Sequence, residues 1–374
     1  MPLNRSWKIN IYRSHYSMIN VTKAYLPDLD KYYQLIKRAW DKSWLTNNGE
    51  LVTELEARLK EFLGVKHLFF CSNGTIALQI AIKALDAGNE VITTPFSYVA
   101  TTNALLWEGC TPVFVDIDPN TLCIDPDKIE ASISSKTTAI LATHVFGYAC
   151  DVEKIEAIAQ KYKLKVIYDG AHAFGSKYQG KSLLGFGDIS TCSFHATKLF
   201  HTAEGGCIIT NDDETAEKIR LMRQFGHHYD EYHMAGINGK NSELHAAMGL
   251  CILDDMAKIF EDRKKSSDLY DNLLKDTKLV RKPFDLQQDV YNYAFYPIVF
   301  DSEEQLLRAV KNLNSGEIHP RRYFYPSLNT LPFINYTECP VSEDIASRVL
   351  CLPLFYGIEE KDQNRICHII KASL

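Results

Sequence analysis

The chain of 374 residues has no C-x-x-C pair: its ten cysteines are scattered, the closest two being Cys339 and Cys351. That spacing excludes zinc ribbons and dithiol redox motifs and does not resemble a disulfide framework. Reduced thiols in the cytoplasm are the expected state. No basic tract interrupts a net charge of -6, which argues against nucleic acid as a partner. No apolar run approaches the length of a membrane span. Residues 1–17 are polar and basic without an apolar core, so they do not form a secretory signal. There is no G-x-x-x-x-G-K, and no G-x-G-x-x-G follows the first strand-like run; neither a P-loop nucleotidase nor a nicotinamide dehydrogenase is supported. Internal repeats and low-complexity linkers are also missing.

What is present is an ordinary globular composition, 46% apolar and 24% charged, with a regular alternation. Short apolar runs at His67–Cys71, Glu90–Thr93, Pro112–Asp116, Ala139–Val145, Val166–Tyr168, Ile189–Phe194 and Cys207–Thr210 read as strands. Helical patterns fall between them, at Leu51–Leu63, Thr75–Leu85 and around Asn103–Trp107. This order predicts a mostly parallel α/β sheet covered on both faces, with ligands beyond the carboxyl ends of its strands. A long helix is expected over 243–275, leading into a smaller α+β unit with strands at Tyr293–Phe300 and around Tyr323. The expected division is an extension over 1–19, a large domain over 20–250, and a connecting helix with a small domain over 251–374.

Two segments 29 positions apart carry most of the chemical information. V-I-Y-D-G-A-H (166–172) is an apolar strand ending in Asp169. S-F-H-A-T-K (193–198) runs to Lys198 and precedes Glu204-Gly205-Gly206. A carboxylate and a lysine buried on neighbouring strand ends are costly unless a ligand compensates them. Pyridoxal phosphate needs that pair, an amine for its Schiff base and an acid for its pyridinium nitrogen. Singly, each residue has a plainer reading. Asp169 can cap a turn, and Lys198 can be a solvated loop lysine. Ser193 and His195 share one side of a strand by its period of two; Ser193 can reach a phosphate, and His195 fits either the core or a site. Ser72-Asn73-Gly74-Thr75, between strand and helix, suits a phosphate on backbone amides, or a simple helix cap. Tyr98 follows a strand end and can stack on a flat ring or fill the core. Asn238 lies in a glycine-punctuated loop and reads alone as a turn residue.

Taken in order, T-N-N-G (46–49), S-N-G-T-I-A-L (72–78), T-P-F-S-Y-V-A-T (94–101), P-V-F-V-D-I-D (112–118), D-G-A-H, S-F-H-A-T-K, E-G-G and G-I-N-G-K-N (236–241) resemble the DegT/StrS family of pyridoxal-phosphate sugar-nucleotide aminotransferases. The resemblance runs from about Val21 to the C-terminus. It implies fold type I: a large domain with a seven-stranded, mostly parallel sheet and a smaller α+β C-terminal domain. By position, Lys198 matches the lysine that binds the cofactor and moves the proton, and Asp169 the acid on the pyridine nitrogen. Tyr98 matches the stacking aromatic, and Gly74, Thr75 and Ser193 the phosphate cradle. Asn238 matches an asparagine that reaches the neighbouring subunit's cofactor, which implies a homodimer with shared sites. His172 stands where the family often has glutamine, near the cofactor's 3-hydroxyl. Lys240 stands where many members have arginine, keeping charge but losing the fork. The implied partners are L-glutamate as amino donor and a nucleotide-linked keto sugar. The run from Gly236 to Gly249 resembles enzymes that aminate dTDP-4-keto-6-deoxyglucose at C4. C3 amination, the galacto epimer, a GDP-linked sugar or a non-catalytic regulator are the other implied possibilities.

Overall fold

The computed structural model describes residues 18–281 and 288–374. Most of the expected N-terminal extension, residues 1–17, lies outside the described residues. The central sheet contains seven strands: β1 (His67–Cys71), β2 (Glu90–Thr93), β3 (Thr111–Phe114), β4 (Thr137–Thr143), β5 (Lys165–Asp169), β6 (Ile189–Ser193) and β7 (Gly206–Thr210). Their spatial order is β1-β7-β6-β5-β4-β2-β3. Strands β3, β2, β4, β5 and β6 pair in parallel, and β7 runs antiparallel to both neighbours. The expected α/β fold with a mostly parallel seven-stranded sheet is therefore the observed one.

The helices form where the apolar spacing placed them. In α1 (Glu50–Leu63), Leu51, Leu55, Leu59 and Leu63 are buried four residues apart, and Gly64 ends the helix at φ 65°, a conformation glycine adopts without strain. α2 (Gly74–Ala84) is apolar nearly all round because it lies between the sheet and α3 (Val99–Trp107). The long helix is α4 (Glu243–Leu274). Its buried Glu243 accepts hydrogen bonds from the N–H groups of Leu51 (2.7 Å) and Val52 (3.2 Å), capping α1 from 192 positions away.

Beyond α4, a small antiparallel sheet orders β8 (Val280–Arg281), β9 (Pro297–Val299) and β10 (Val349–Cys351). Tyr270 and Leu274 of α4 share an apolar cluster with Tyr296, Ile298, Leu350 and Ile370. Ile19–Asn20 pairs in parallel with Ile318–His319, tying the start of the described chain to this C-terminal part. The strand expected around Tyr323 does not form. Only Arg321 pairs there, in an isolated bridge with Cys351, and the chain turns at residues 323–324. The aromatic side chains of this run pack ring against ring instead of alternating across a sheet, and Pro326 has no ladder donor. Among the described residues, no helix is long and apolar enough to cross a membrane.

Candidate active site

Parallel pairing of β5 with β6 brings the ends of both chemical segments to one rim of the sheet, with Asp169 opposite Thr191. A cavity of about 610 Å³ opens there, a size suited to a cofactor or small ligand. Lys198, Asp169, His172, Tyr98, Gly74, Thr75 and Ser193 all line it. Asn238 does not; it is exposed, and its Oδ1 accepts from Lys240 Nζ at 3.1 Å.

Asp169 is almost fully buried. Its Oδ2 accepts from Thr101 Oγ1 at 2.7 Å, and its Oδ1 from the N–H of Ala171 at 3.1 Å. Thr101 lies 2.7 Å from Ser97 Oγ, which accepts from Thr143 Oγ1 at 3.2 Å. Burial pushes the Asp169 carboxyl above its ordinary pKa, against the pull of the Thr101 and Ala171 hydrogen bonds and of the Lys198 charge. The Lys198 ammonium is pushed down by lost hydration, which its attraction to Asp169 partly offsets. Each group of this pair is thus held away from its charged form in the bare protein. A ligand carrying a buried N–H cation toward Asp169, and an electrophile toward Lys198, relieves both costs.

His172 is buried, and its Nδ1 accepts from the N–H of Phe146 at 3.3 Å. The proton of the neutral ring is therefore on Nε2, which makes that atom a donor. Burial, then the Lys198 charge, holds its pKa well below 6.5. The ring is sandwiched by aromatics: Phe324 at 5.5 Å and 8°, and Phe295 edge-on at 4.7 Å. His195 is not a core residue. Strand β6 stops at Ser193, and His195 sits exposed in the following turn, lining the cavity with its Nε2 3.6 Å from Glu204.

Gly74 opens α2. Asn73 caps the helix by accepting from the N–H of Ile76 at 2.8 Å, while the first-turn amides of Gly74 and Thr75 have no intrahelical partner. A Cβ on Gly74 would stand 2.9 Å from the Cβ of Ser193, and one on Gly206 would stand 2.7 Å from the Asn73 carbonyl carbon. Glycine at both places lets β6, β7 and the helix start converge into a concave set of donors of the kind an anion fills. A phosphate cradle, a buried acid and a half-buried lysine in one cavity fit pyridoxal phosphate.

Sequence reasoning missed four contributors. Ser97 and Thr101 had a signal, since hydroxyls four residues apart at a helix start share a face. Phe295 and Phe324 had none, because they arrive from residues more than 120 positions beyond His172 in the chain.

Fold and site together define a pyridoxal-phosphate-dependent aminotransferase of fold type I. Comparison with known proteins gives the family. The model of the DegT/DnrJ/EryC1/StrS aminotransferase family matches residues 29–371, and the chain belongs to that family. It is 44% identical over 347 residues to a dTDP-4-amino-4,6-dideoxy-D-glucose transaminase of Shigella dysenteriae, covering 90% of this chain and 94% of the relative. A dTDP-4-amino-4,6-dideoxy-D-glucose transaminase of Escherichia coli is 40% identical, covering 95% and 99%. Among solved structures, DesI in the presence of its TDP-sugar product superimposes with a TM-score of 0.91 at 31% identity, covering 95% of this chain and 92% of that one.

Proposed function

We propose that the protein transfers the amino group of L-glutamate to a nucleotide-linked keto-6-deoxysugar, dTDP-4-keto-6-deoxyglucose, giving dTDP-4-amino-4,6-dideoxyglucose. The observation that carries the chemistry is the meeting of Lys198 and Asp169 in one cavity. The 44% identity to the Shigella dysenteriae transaminase supports the substrate. When bound, pyridoxal phosphate supplies a carbonyl carbon that takes up amines and a ring that accepts the electrons of a broken C–H bond.

The chain's own residues do the rest. Lys198 would hold the cofactor through that carbon, and its amine would serve as the base that takes the donor's α-proton and as the acid that gives it back. Asp169, fixed by Thr101 and Ala171, keeps the ring nitrogen protonated. His172, with its Nδ1 taken by the Phe146 N–H, would have Nε2–H to donate to the cofactor's 3-hydroxyl. Tyr98, 55% exposed at the cavity wall, is free to lie against the ring. The Gly74 and Thr75 amides and the Ser193 hydroxyl take the phosphate. The rings of Phe295 and Phe324 keep water from the reacting carbon.

Asn238, absent from its own chain's cavity, reaches the cofactor phosphate of a second subunit, so the working unit is a homodimer. The large domain spans 20–250, and the helix with the small domain spans 251–374. The setting is the cytoplasm.

Two measurements test this reading. Borohydride reduction of the yellow holoenzyme, followed by peptide mapping, should place the label on Lys198; a label elsewhere removes its assignment. Incubation with glutamate and a panel of dTDP- and GDP-linked 3- and 4-keto sugars should give dTDP-4-amino-4,6-dideoxyglucose by NMR. A C3 amine, the galacto epimer or a preference for GDP sugars overturns the substrate while leaving amino transfer intact.

A further inference from the structure

One wall of the cavity is apolar. Val21, Ala294, Phe295, Leu352 and Leu354 line it, and none of these side chains carries a polar atom. The backbone ties them into one surface. Leu352, just past β10, donates its N–H to the carbonyl of Tyr296, the residue after Phe295, at 3.0 Å; Leu354 donates to the Val21 carbonyl at 3.1 Å. Other polar groups behind the wall are spent as well. Pro353 has no N–H, and its carbonyl accepts from Tyr270 Oη at 2.8 Å. The Ala294 N–H donates to Asn292 Oδ1 at 3.1 Å, its carbonyl accepts from Arg263 Nη1 at 3.1 Å, and the Phe295 carbonyl accepts from Tyr291 Oη at 3.2 Å. Thr22, beside Val21, donates its hydroxyl to the Thr197 carbonyl at 3.4 Å. A hydroxyl or carboxylate laid against this wall gives up water and gains no side-chain partner.

The wall begins at the reacting end of the cavity. Phe295 meets His172 edge-on at 4.7 Å, and His172 is the residue proposed for the cofactor's 3-hydroxyl, which adjoins the carbonyl carbon on the ring. The group seated here therefore lies within a few bonds of the reacting carbon. Neither carboxylate of glutamate suits it, because an oxyanion gains more at the cations that also line the cavity, Lys198 and Arg321. The diphosphate is excluded on the same ground, and the thymine methyl lies beyond both diphosphate and ribose. The sugar itself has one wholly apolar group, the C6 methyl. In a sugar that reacts at C4, this methyl is separated from the reacting carbon by C5 alone.

We propose that Val21, Ala294, Phe295, Leu352 and Leu354 seat the C6 methyl group of the sugar and so select 6-deoxy over 6-hydroxy hexoses. This rests on the reading of a nucleotide-linked sugar aminated at C4.

The test compares dTDP-4-amino-4,6-dideoxyglucose with its 6-hydroxy counterpart, dTDP-4-amino-4-deoxyglucose. Calorimetry on the pyridoxamine-phosphate form, which has no carbonyl to take up an amine, measures binding without reaction. Stopped flow on the pyridoxal-phosphate form follows the loss of its visible band with each sugar and with glutamate. Wild type should bind the 6-deoxy sugar about tenfold to a hundredfold more tightly, the range over which an apolar pocket discriminates one small group. Val21→Thr keeps the shape of a half-buried side chain and adds a hydroxyl, and Ala294→Ser adds one at a second half-buried position. Each should lower the preference by about threefold or more. A wild-type preference below about threefold overturns the proposal, as does a preference that both variants leave unchanged. A wild-type enzyme that responds to glutamate but to neither 4-amino sugar overturns the C4 reading and the proposal with it, a result distinct from lost preference.

Discussion

Asp169→Asn separates the charge of this residue from its shape. The variant keeps an oxygen for the Ala171 N–H, which Asp169 Oδ1 now accepts at 3.1 Å. Its new NH2 group faces Thr101 Oγ1, at present a donor 2.7 Å from Oδ2. Thr101 can turn its proton toward Ser97, since either hydroxyl of that pair can donate. Ser97, which now donates to Thr101, must then turn its own proton toward Thr143, and the Thr143 hydroxyl loses its acceptor, so the stability cost should be about 1–3 kcal/mol, that of one unpaired buried donor. Removing the charge also relieves the burial that disfavours it, against the loss of its attraction to Lys198. Turnover is another matter. Deleting one partner of a buried ion pair costs about 3–5 kcal/mol. At about 1.4 kcal/mol per decade this corresponds to roughly a hundredfold to several-thousandfold loss of kcat. The assay is steady-state amino transfer with both substrates saturating, on protein whose cofactor content matches wild type. A variant that holds its cofactor and turns over within about threefold of wild type would refute the role of Asp169. Thr101→Val should lie between the two, because it leaves the carboxylate but removes one of its donors.

Gly74→Ala would put a methyl group 2.9 Å from the Ser193 Cβ; cofactor retention on dialysis should weaken about tenfold or more, the scale of one to a few kcal/mol of overpacking, and unaltered retention would remove Gly74 from the cradle. Inactive Lys198→Ala mixed with inactive Asn238→Ala should regain activity, because one site of each hybrid dimer then has both native residues; verified hybrids without recovery would show that Asn238 does not act across an interface. Burial lowers the His144 pKa to about 3 and that of His172 well below 6.5. The unfolded chain therefore takes up protons first as pH falls, and stability present above about pH 6.5 is lost below it, at about 1.4 kcal/mol per pH unit for each histidine. Denaturant midpoints of the cofactor-free protein between pH 6.5 and 5 should show this slope, and His144→Gln should make it shallower by about one proton; an equal slope in the variant would remove His144 as a source.

The parts of the fold written in local patterns were legible in the sequence. Strands such as His67–Cys71 and Glu90–Thr93 announce themselves because a parallel strand is apolar on both faces, and the leucine spacing of α1 allows no other element. The run around Tyr323 misled because its β-prone aromatics pack on the rings of Phe96, Phe146 and Phe295, and only a tertiary contact decides between ring packing and a ladder. Of the site, the residues on one rim were legible from topology, since Asp169 and Ser193 end strands and Gly74 begins a helix. The tautomer of His172 was not, because it depends on the Phe146 amide, 26 positions away in the chain. Arg321 gave no signal at all: only the pairing with Cys351 and the salt bridge that removes Arg322 make the two arginines different.

This contrast has a physical origin that bears on how the site divides its work. The residues proposed to meet the cofactor hang from strand ends and one helix start, so their positions follow from the hydrogen-bond ladder and tolerate little change; a Cβ at Gly74 or Gly206 already collides with backbone or side-chain carbon. The residues that face the remaining space, Phe295, Arg321, Tyr323 and Phe324, come from turns of the C-terminal part, where a bridge and ring contacts hold them. Changing such a turn costs a few contacts and leaves the sheet untouched. Cofactor chemistry should therefore survive substitutions in 293–325 that alter which donor or sugar is accepted, whereas substitutions at 74, 169 or 198 should impair the reaction for every substrate alike.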